Sequence, residues 1–544
     1  MADLPTVRTS TPKTTLEEAA WPKLDPEQLE KLRENGTTRS FENGDVLFDV
    51  GQDGYDFVYV EEGSVNIVDR SDDRTVIRIE AGNFVGELGM LMGQKTFLAG
   101  VVTEDTKAIV VPQATLRVLV STVPEIGDMV VTAYAARRRL LMEWNEGGLV
   151  IVGREDDRST LRLREFANRN RIPNRYVDRR DQQAIDDLKK ICDLPDSGTA
   201  AVVGPARVLS EPTRQELAAA MGLDLVAKAE TPFDVLVIGA GPAGLAASVY
   251  AASEGLRALV VEDTAIGGQA GTSSRIENYL GFPKGVSGGE LAYLGEVQAV
   301  KFGARITAPR RATKLTPGDE YHSIELDDGR SVRGRTVVLA NGVRYRRLPV
   351  DRLAEFEGRG VYYAATELEA RFCHDTAAVI VGGGNSAGQA AMFLSRTADT
   401  THVVVRGDGL SSTMSSYLSD RIESDARIKL WTHAEVRCLD GGERLEQVRL
   451  RNNETGEETT IDSRALFIMI GAAPNTDWLE GQVALDDKGF VLTGRDANES
   501  LDGYATSCPG IFAVGDIRSG SVKRVASAVG EGSVVVSAVH KLLA

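Results

Sequence analysis

Short apolar runs divided by Gly and Asp mark the first third of the chain. Asp45 to Phe48, Phe57 to Val60, Ser64 to Val68 and Thr75 to Ile79 have strand length and β-type composition, with turn residues between them. Such spacing predicts a small antiparallel roll or barrel over about 41–112. From Gln113 to Glu143 the rhythm becomes helical, and the basic run Arg137-Arg138-Arg139 is expected on a solvated face. A third rhythm covers 149–225. Strands are expected at Leu149 to Val152, Tyr176-Val177 and Ala200 to Val203, alternating with helices at Ser159 to Asn170, Asp181 to Ile191 and Arg214 to Met221. That alternation predicts a small α/β unit.

Beyond Glu230-Thr231-Pro232, which reads as a linker, the apolar pattern carries chemistry. Phe233 to Ile238 is an apolar strand that runs into Gly239-x-Gly241-x-x-Gly244 and a small-residue helix. A second strand, Ala258 to Val261, ends in Glu262. Glycines at this spacing let the backbone approach a pyrophosphate at the helix N-terminus, and the acid can accept ribose hydroxyls. The arrangement recurs at Ala377 to Val381, followed by Gly382, Gly384, Asn385, Ser386 and Ala387. There the second strand, His402 to Val405, ends in Arg406. An arginine at that point pairs with a ribose 2′-phosphate that a carboxylate would repel, which favours NADPH over NADH; the alternative is a surface arginine without a ligand. Ile511 to Asp516 forms a third signature, with Gly515 and Asp516 at a strand end and Val525 and Ala526 opening the last helix. Asp516 can bind a ribitol hydroxyl or cap a helix, and a helix N-terminus favours negative charge on a reduced flavin. Two dinucleotide cradles in one chain predict a flavin and a nicotinamide with hydride passing between them.

Composition narrows the field. At ~100–200 residues per domain, 544 residues predict three or four domains. The net charge of −17 and a pI near 5.0 argue against nucleic acid as a partner. Cys192, Cys373, Cys438 and Cys508 lie far apart with no CxxC, which excludes a disulfide framework or cysteine-rich metal site and fits a reducing cytoplasm. Val235 to Ser253 is uncharged like a membrane span, yet its glycines and proline fit a strand, a turn and a packed helix better. Residues 1–23 have no apolar core of a signal peptide. The chain is expected to be cytoplasmic, with no membrane partner.

These motifs identify a resemblance. Residues 233–544 resemble the low-molecular-weight thioredoxin reductases. Besides the glycine cradles, the match includes Gly267-Gly268-Gln269, Ile276-Glu277-Asn278-Tyr279 and Ala340-Asn341-Gly342. The resemblance implies FAD contacts at Gly268, Gln269, Asn278, Ala340, Gly342, Gly515 and Asp516, and NADPH at Gly382 to Ala387. It also implies a flavin domain split by an inserted nicotinamide domain, and a homodimer. One departure is chemical. Where the family carries its CxxC, this chain has Ala364 and Glu367, neither able to form a disulfide. Phe84-Val85-Gly86-Glu87-Leu88 is similar to the phosphate cassette of cyclic-nucleotide-binding domains, implying backbone amides at Gly86 and Leu88 for a phosphate and Glu87 for a ribose. Thr96 stands where that family places an arginine; a sensor module that has lost its ligand is the alternative to cyclic AMP binding. Residues 149–225 are ordered like a thioredoxin or glutaredoxin fold, but the active turn reads Gly153-Arg154-Glu155-Asp156-Asp157.

The expected architecture is therefore multidomain α/β. It comprises a tail (1–24), a cyclic-nucleotide-binding-like β-roll (25–146), a thioredoxin-like unit (147–229), a Rossmann-like FAD domain in two parts (230–349 and 471–544) and an inserted Rossmann-like NAD(P)H domain (350–470). The expected activity is hydride transfer from NADPH, or NADH, to flavin, then onward to a small-molecule or protein acceptor, with no side-chain acid, base, nucleophile or metal required. Two rivals remain: a ferredoxin reductase docking through Arg344-Tyr345-Arg346-Arg347, and a non-catalytic redox sensor.

Overall fold

The computed structural model describes residues 8–544 apart from 72, 205–206, 224–230, 274–275, 277, 358, 364, 366, 411–413, 480 and 500–502. The N-terminal roll is built on two long antiparallel partners, Phe57–Asp69 and Ala99–Val111, flanked by Thr37–Phe41 and Arg74–Glu80. The two short strands expected at 57–60 and 64–68 are thus one. They are joined through Gly63, whose φ of +87° accompanies register shifts on both sides; a glycine bulge bends a strand without ending it.

The helical stretch after the roll is also different from its simplest reading. It breaks at Val123, and Pro124 starts a second helix, Pro124–Glu143, bent 114° from the first, Gln113–Thr122. Proline has no N–H to continue the first helix but suits the opening turn of the next. The second helix lies back on the roll and buries Arg137 and Arg138; of the basic run only Arg139 is solvated, paired with Glu143 at 3.0 Å. Two packed faces, rather than one, explain the correction: the roll covers one side and the helix Gly288–Lys301 of the following domain covers the other.

Residues 149–221 form the small α/β unit, in the strand order Arg207–Ser210, Ala200–Val203, Leu149–Gly153, Arg175–Asp178. The edge strand Arg207–Ser210 had no signal in the sequence, being short and half polar.

Two larger sheets follow. In the first, Phe233–Ile238 lies between Ala258–Val261 and Ser331–Leu339, all parallel. Ile511–Ala513 returns from the far end of the chain to pair with Ser331–Leu339, so the first domain is split. The second sheet centres on Ala377–Val381, flanked by Thr401–Val404 and Glu458–Ile468. Both have near-continuous Val/Ile/Leu/Ala strands because helices or strand layers cover both faces. A two-stranded ribbon, Val343–Tyr345 with Ala472–Pro474, carries the chain between the domains. The uncharged stretch at 235–253 resolves into a strand, a turn and the helix Pro242–Ser253. Among the described residues no single helix is long and apolar enough to cross a membrane.

Candidate functional site

The first cradle assigns a different task to each glycine. Gly239 has φ +108°, and a Cβ there would lie 2.4 Å from the Ala340 carbonyl oxygen on the adjoining strand end. Gly244 allows the helix to close on the turn: its Cβ would lie 1.9 Å from the Gly239 oxygen. A Cβ on Gly241 would meet no protein atom within 4 Å, so that side is open space in front of the helix. No side chain caps that helix, which leaves first-turn N–H groups available to an anion.

Two further segments, distant in sequence, close around this turn. Gly268 (φ +53°) would set a Cβ 3.0 Å from the Gly241 Cα, and Gly267 N–H donates to the Ala240 oxygen at 2.8 Å. Gly515 (φ +74°) faces Ala243 so closely that a Cβ would lie 2.9 Å from the Ala243 Cβ. Its N–H donates to Glu531 Oε2 at 2.6 Å, and Arg518 holds the same carboxylate at 2.8 Å. Next to Gly515, Asp516 is partly buried, and burial raises its pKa. Val525 and Ala526 open the helix Val525–Leu543, also without a side-chain cap.

Glu262 ends the second strand as expected. It is buried, and accepts from the N–H groups of Ala240 (2.8 Å), Thr264 (3.0 Å) and Ala265 (3.2 Å). Burial, aided by Asp263, pushes its pKa up to about 7. Gln269 donates Nε2 to the Val343 oxygen at 3.1 Å, while its Oε1 is buried without a hydrogen bond. Asn341, between the expected Ala340 and Gly342 (φ +57°), forms a reciprocal clasp with Asn475: each Nδ2 donates to the other's backbone oxygen, at 2.5 and 2.7 Å. The Asn341 Oδ1 is likewise buried without a partner. Asn278 lies in an exposed loop and none of these contacts ties it to the cradle. Asn341 and Asn475 were missed; an amide within an Ala-x-Gly crossover was the available signal.

In the second cradle, Gly382 (φ +149°) would set a Cβ 2.3 Å from the Met469 oxygen. Gly384 precedes the uncapped helix Asn385–Leu394, whose first turn includes Asn385 and Ser386. Asn385 Oδ1 accepts from Ser415 N–H at 2.8 Å, so its side chain anchors the neighbouring loop. Arg406 is exposed and makes no ion pair among the described residues.

Two of the four thiols are buried. Cys373 is fully buried with its Sγ on the Glu369 oxygen at 3.6 Å, and burial pushes its pKa up to about 12. Cys192 is also buried, its pKa raised by the same cause. A thiolate is the reactive form, so neither suits a redox relay. Ala364 lies outside the described residues; Glu367 begins the short helix Glu367–Ala370. In the thioredoxin-like turn, Asp157 caps the next helix by accepting from Thr160 N–H at 3.0 Å and Thr199 Oγ1 at 2.8 Å.

The roll's cassette holds Gly86 at φ +148° and buries Leu88 completely. Glu87 is paired with Arg138 at 2.8 Å, and Arg138 also reaches Gln94 at 3.2 Å. Thr96 donates its hydroxyl to the Asp49 oxygen.

A parallel-sheet domain split by a second of the same type, each with a glycine cradle before an uncapped helix, defines a dinucleotide-dependent oxidoreductase. The chain belongs to the pyridine nucleotide-disulphide oxidoreductase family, whose model matches residues 233–532; that of the cyclic nucleotide-binding domain matches 38–122. It is 34% identical to a thioredoxin reductase of Mycolicibacterium smegmatis, over 56% of this chain and 94% of that protein. It is 30% identical to an NADH dehydrogenase of Bacillus subtilis, over 59% of this chain and 61% of that protein. The thioredoxin reductase structure of T. acidophilum covers 58% of this chain and 100% of its own, with 28% identity and a TM-score of 0.53.

Proposed function

We propose that the chain binds FAD in the first cradle and NADPH in the second, and passes electrons to an external acceptor without a protein disulfide. The observation that carries this reading is the convergence of Gly268, Ala340 and Gly515 around the turn Gly239–Gly244, with open space left at Gly241. The residues present fit the flavin nucleotide. Side chains are absent where a pyrophosphate needs the backbone, and the buried Gln269 and Asn341 oxygens lack donors that a polar ligand would supply. The helix at Pro242 would hold the pyrophosphate, Glu262 a ribose and Asp516 the ribitol chain. The helix opening at Val525 and Ala526 would stabilise negative charge on the ring system through its N-terminal N–H groups. Around Gly382 and Gly384 the N–H groups of Asn385 and Ser386 would orient the nicotinamide dinucleotide, with Arg406 on a 2′-phosphate; NADH would leave Arg406 unused.

Held by these residues, the two cofactors would supply hydride transfer, two electrons with one proton, from nicotinamide to flavin for onward delivery to the acceptor. The chain's contribution is positioning and electrostatics. A ferredoxin as acceptor is the less favoured reading, because two of the three arginines in the run at 344–347 already have carboxylate partners. Arg344 is paired with Asp477 and Arg347 with Glu357, which Arg158 also approaches at 3.9 Å. With two carboxylates set against Arg158, Arg344, Arg346 and Arg347, this patch keeps only a modest positive charge.

Anaerobic mixing of the purified full chain with NADPH tests the reading. Flavin bleaching followed by reoxidation on adding a quinone, oxygen or an oxidised thioredoxin is expected, with the fastest acceptor identifying the physiological class. A protein that takes up no flavin, or whose flavin NADPH does not bleach, overturns it.

A further inference from the structure

The N-terminal roll encloses a pocket that nothing in the oxidoreductase half uses. Its walls are apolar, with Ile77, Leu141, Trp144 and Trp21 among them, and its few polar groups include Glu87, Thr96 and Arg137. The two tryptophan rings are parallel to within 6°, with centroids 6.2 Å apart.

Two of these polar groups are already committed. The Glu87 carboxylate is held by Arg138, and the Thr96 hydroxyl by the Asp49 carbonyl. Arg137 is not. It is 7% exposed, its Nε donates to the Ala20 oxygen at 2.8 Å and its Nη1 to the Gly86 oxygen at 2.8 Å. Both acceptors are neutral. The guanidinium stacks over Phe84 at 4.3 Å and has no carboxylate partner among the described residues. Its Nη2 is buried without a hydrogen bond, and so is the Nε1 of Trp21, 4% exposed and next in sequence to Ala20. A buried cation without an anion is strongly unfavourable, and so is each unsatisfied buried donor. Arg137 and Trp21 line the same apolar pocket, and their two deficits have the same remedy. A single oxyanion would neutralise the charge and accept from both N–H groups, while an apolar body would fill the space between the walls.

We propose that this pocket binds a small apolar carboxylic acid, its carboxylate received by Arg137 Nη2 and Trp21 Nε1. A cyclic nucleotide suits it less well. The ribose-binding acid is engaged by Arg138, Thr96 offers no charge, and the walls give a purine's polar edges few partners.

Calorimetric titration of the full chain with phenylacetate and hexanoate tests the assignment, with phenylacetamide, hexanamide and cyclic AMP as comparators. At least one acid is expected to bind about ten-fold or more tightly than its amide, as for a charge-assisted hydrogen bond. Trp21→Phe keeps the ring stacked on Trp144 but deletes the donor. It is expected to weaken the acid several-fold while leaving the amide unchanged. Arg137→Gln should remove the preference for acid over amide, provided its melting curve remains cooperative. Equal affinity of acid and amide, absence of binding by both acids, or tighter binding of cyclic AMP than of either acid would each overturn the proposal.

Discussion

Glu296 tests which of two opposing forces governs the contact between the roll and the flavin domain. It lies on the helix Gly288–Lys301, is 5% exposed, and faces Arg138 of the roll and Arg171 of the thioredoxin-like unit, with Tyr293 one turn away. Desolvation dominates: despite both arginines, its pKa is pushed up to about 7. The folded chain therefore holds this proton at a pH where the unfolded chain has released it. The resulting stabilisation is full below the ordinary glutamate value and is lost as pH rises to about 7. At ~1.4 kcal/mol per pH unit, the span converts to an upper bound of about 3 kcal/mol. Glutamine imitates the protonated acid at every pH, and Arg138 retains Glu87 as its partner. Glu296→Gln should thus leave stability nearly unchanged near pH ~5 and raise it by up to about 3 kcal/mol near pH ~8. Urea unfolding of parent and variant across that range, followed by near-ultraviolet dichroism of the roll's tryptophans, reads the difference. A variant less stable than the parent near pH ~8 would show that ion pairing with Arg138 outweighs desolvation, and would refute the reasoning.

Other outcomes follow from the cradles and the thiols. A Cβ on Gly241 would meet no neighbouring atom within 4 Å, so Gly241→Ala should fold with an unchanged apoprotein melting temperature yet purify with much less flavin. Gly244→Ala would force a Cβ to 1.9 Å from the Gly239 oxygen; a loss of about 1–3 kcal/mol is expected, read by thermal unfolding. Arg406→Gln should raise the KM for NADPH about ten-fold and leave that for NADH unchanged, a split visible in steady-state kinetics. Cys373→Ala should leave the rate of flavin reduction unchanged, and with a thiol pKa near 12, Cys373 should resist iodoacetamide in the folded chain, as peptide mass mapping will report.

The glycine cradles were legible because their constraint is local: a turn that must approach its neighbour closely requires glycine whatever surrounds it. Gly239, Gly244 and Gly382 each face a backbone oxygen too near for any Cβ. The split flavin domain was implied by the family resemblance, and the chain order agreed, since Gly515 and Asp516 follow the second cradle. What escaped depends on partners far away in sequence. Arg137 and Arg138 look like a solvated basic run until Ala20 and Gly86 of the roll close on the first and the helix Gly288–Lys301, about 150 residues downstream, packs on the side of the second. The Asn341–Asn475 clasp spans 134 positions, with no periodicity to announce it. The long strand through Gly63 was divided in two because a glycine between apolar runs usually marks a turn, whereas here it is a bulge.

The helix Gly288–Lys301 has a practical consequence. Tyr293, Val297 and Val300 are packed into the roll's core, Tyr293 Oη donates to the Ala135 oxygen at 3.2 Å, and Lys301 meets Asp128 at 2.5 Å. A gene shortened to encode residues 231–544, the natural choice for anyone seeking a minimal catalyst, would strip this greasy stripe of its cover. Such a fragment should clump or precipitate even if its cofactor cradles were flawless, so the front half of the polypeptide acts as a chaperone that never leaves.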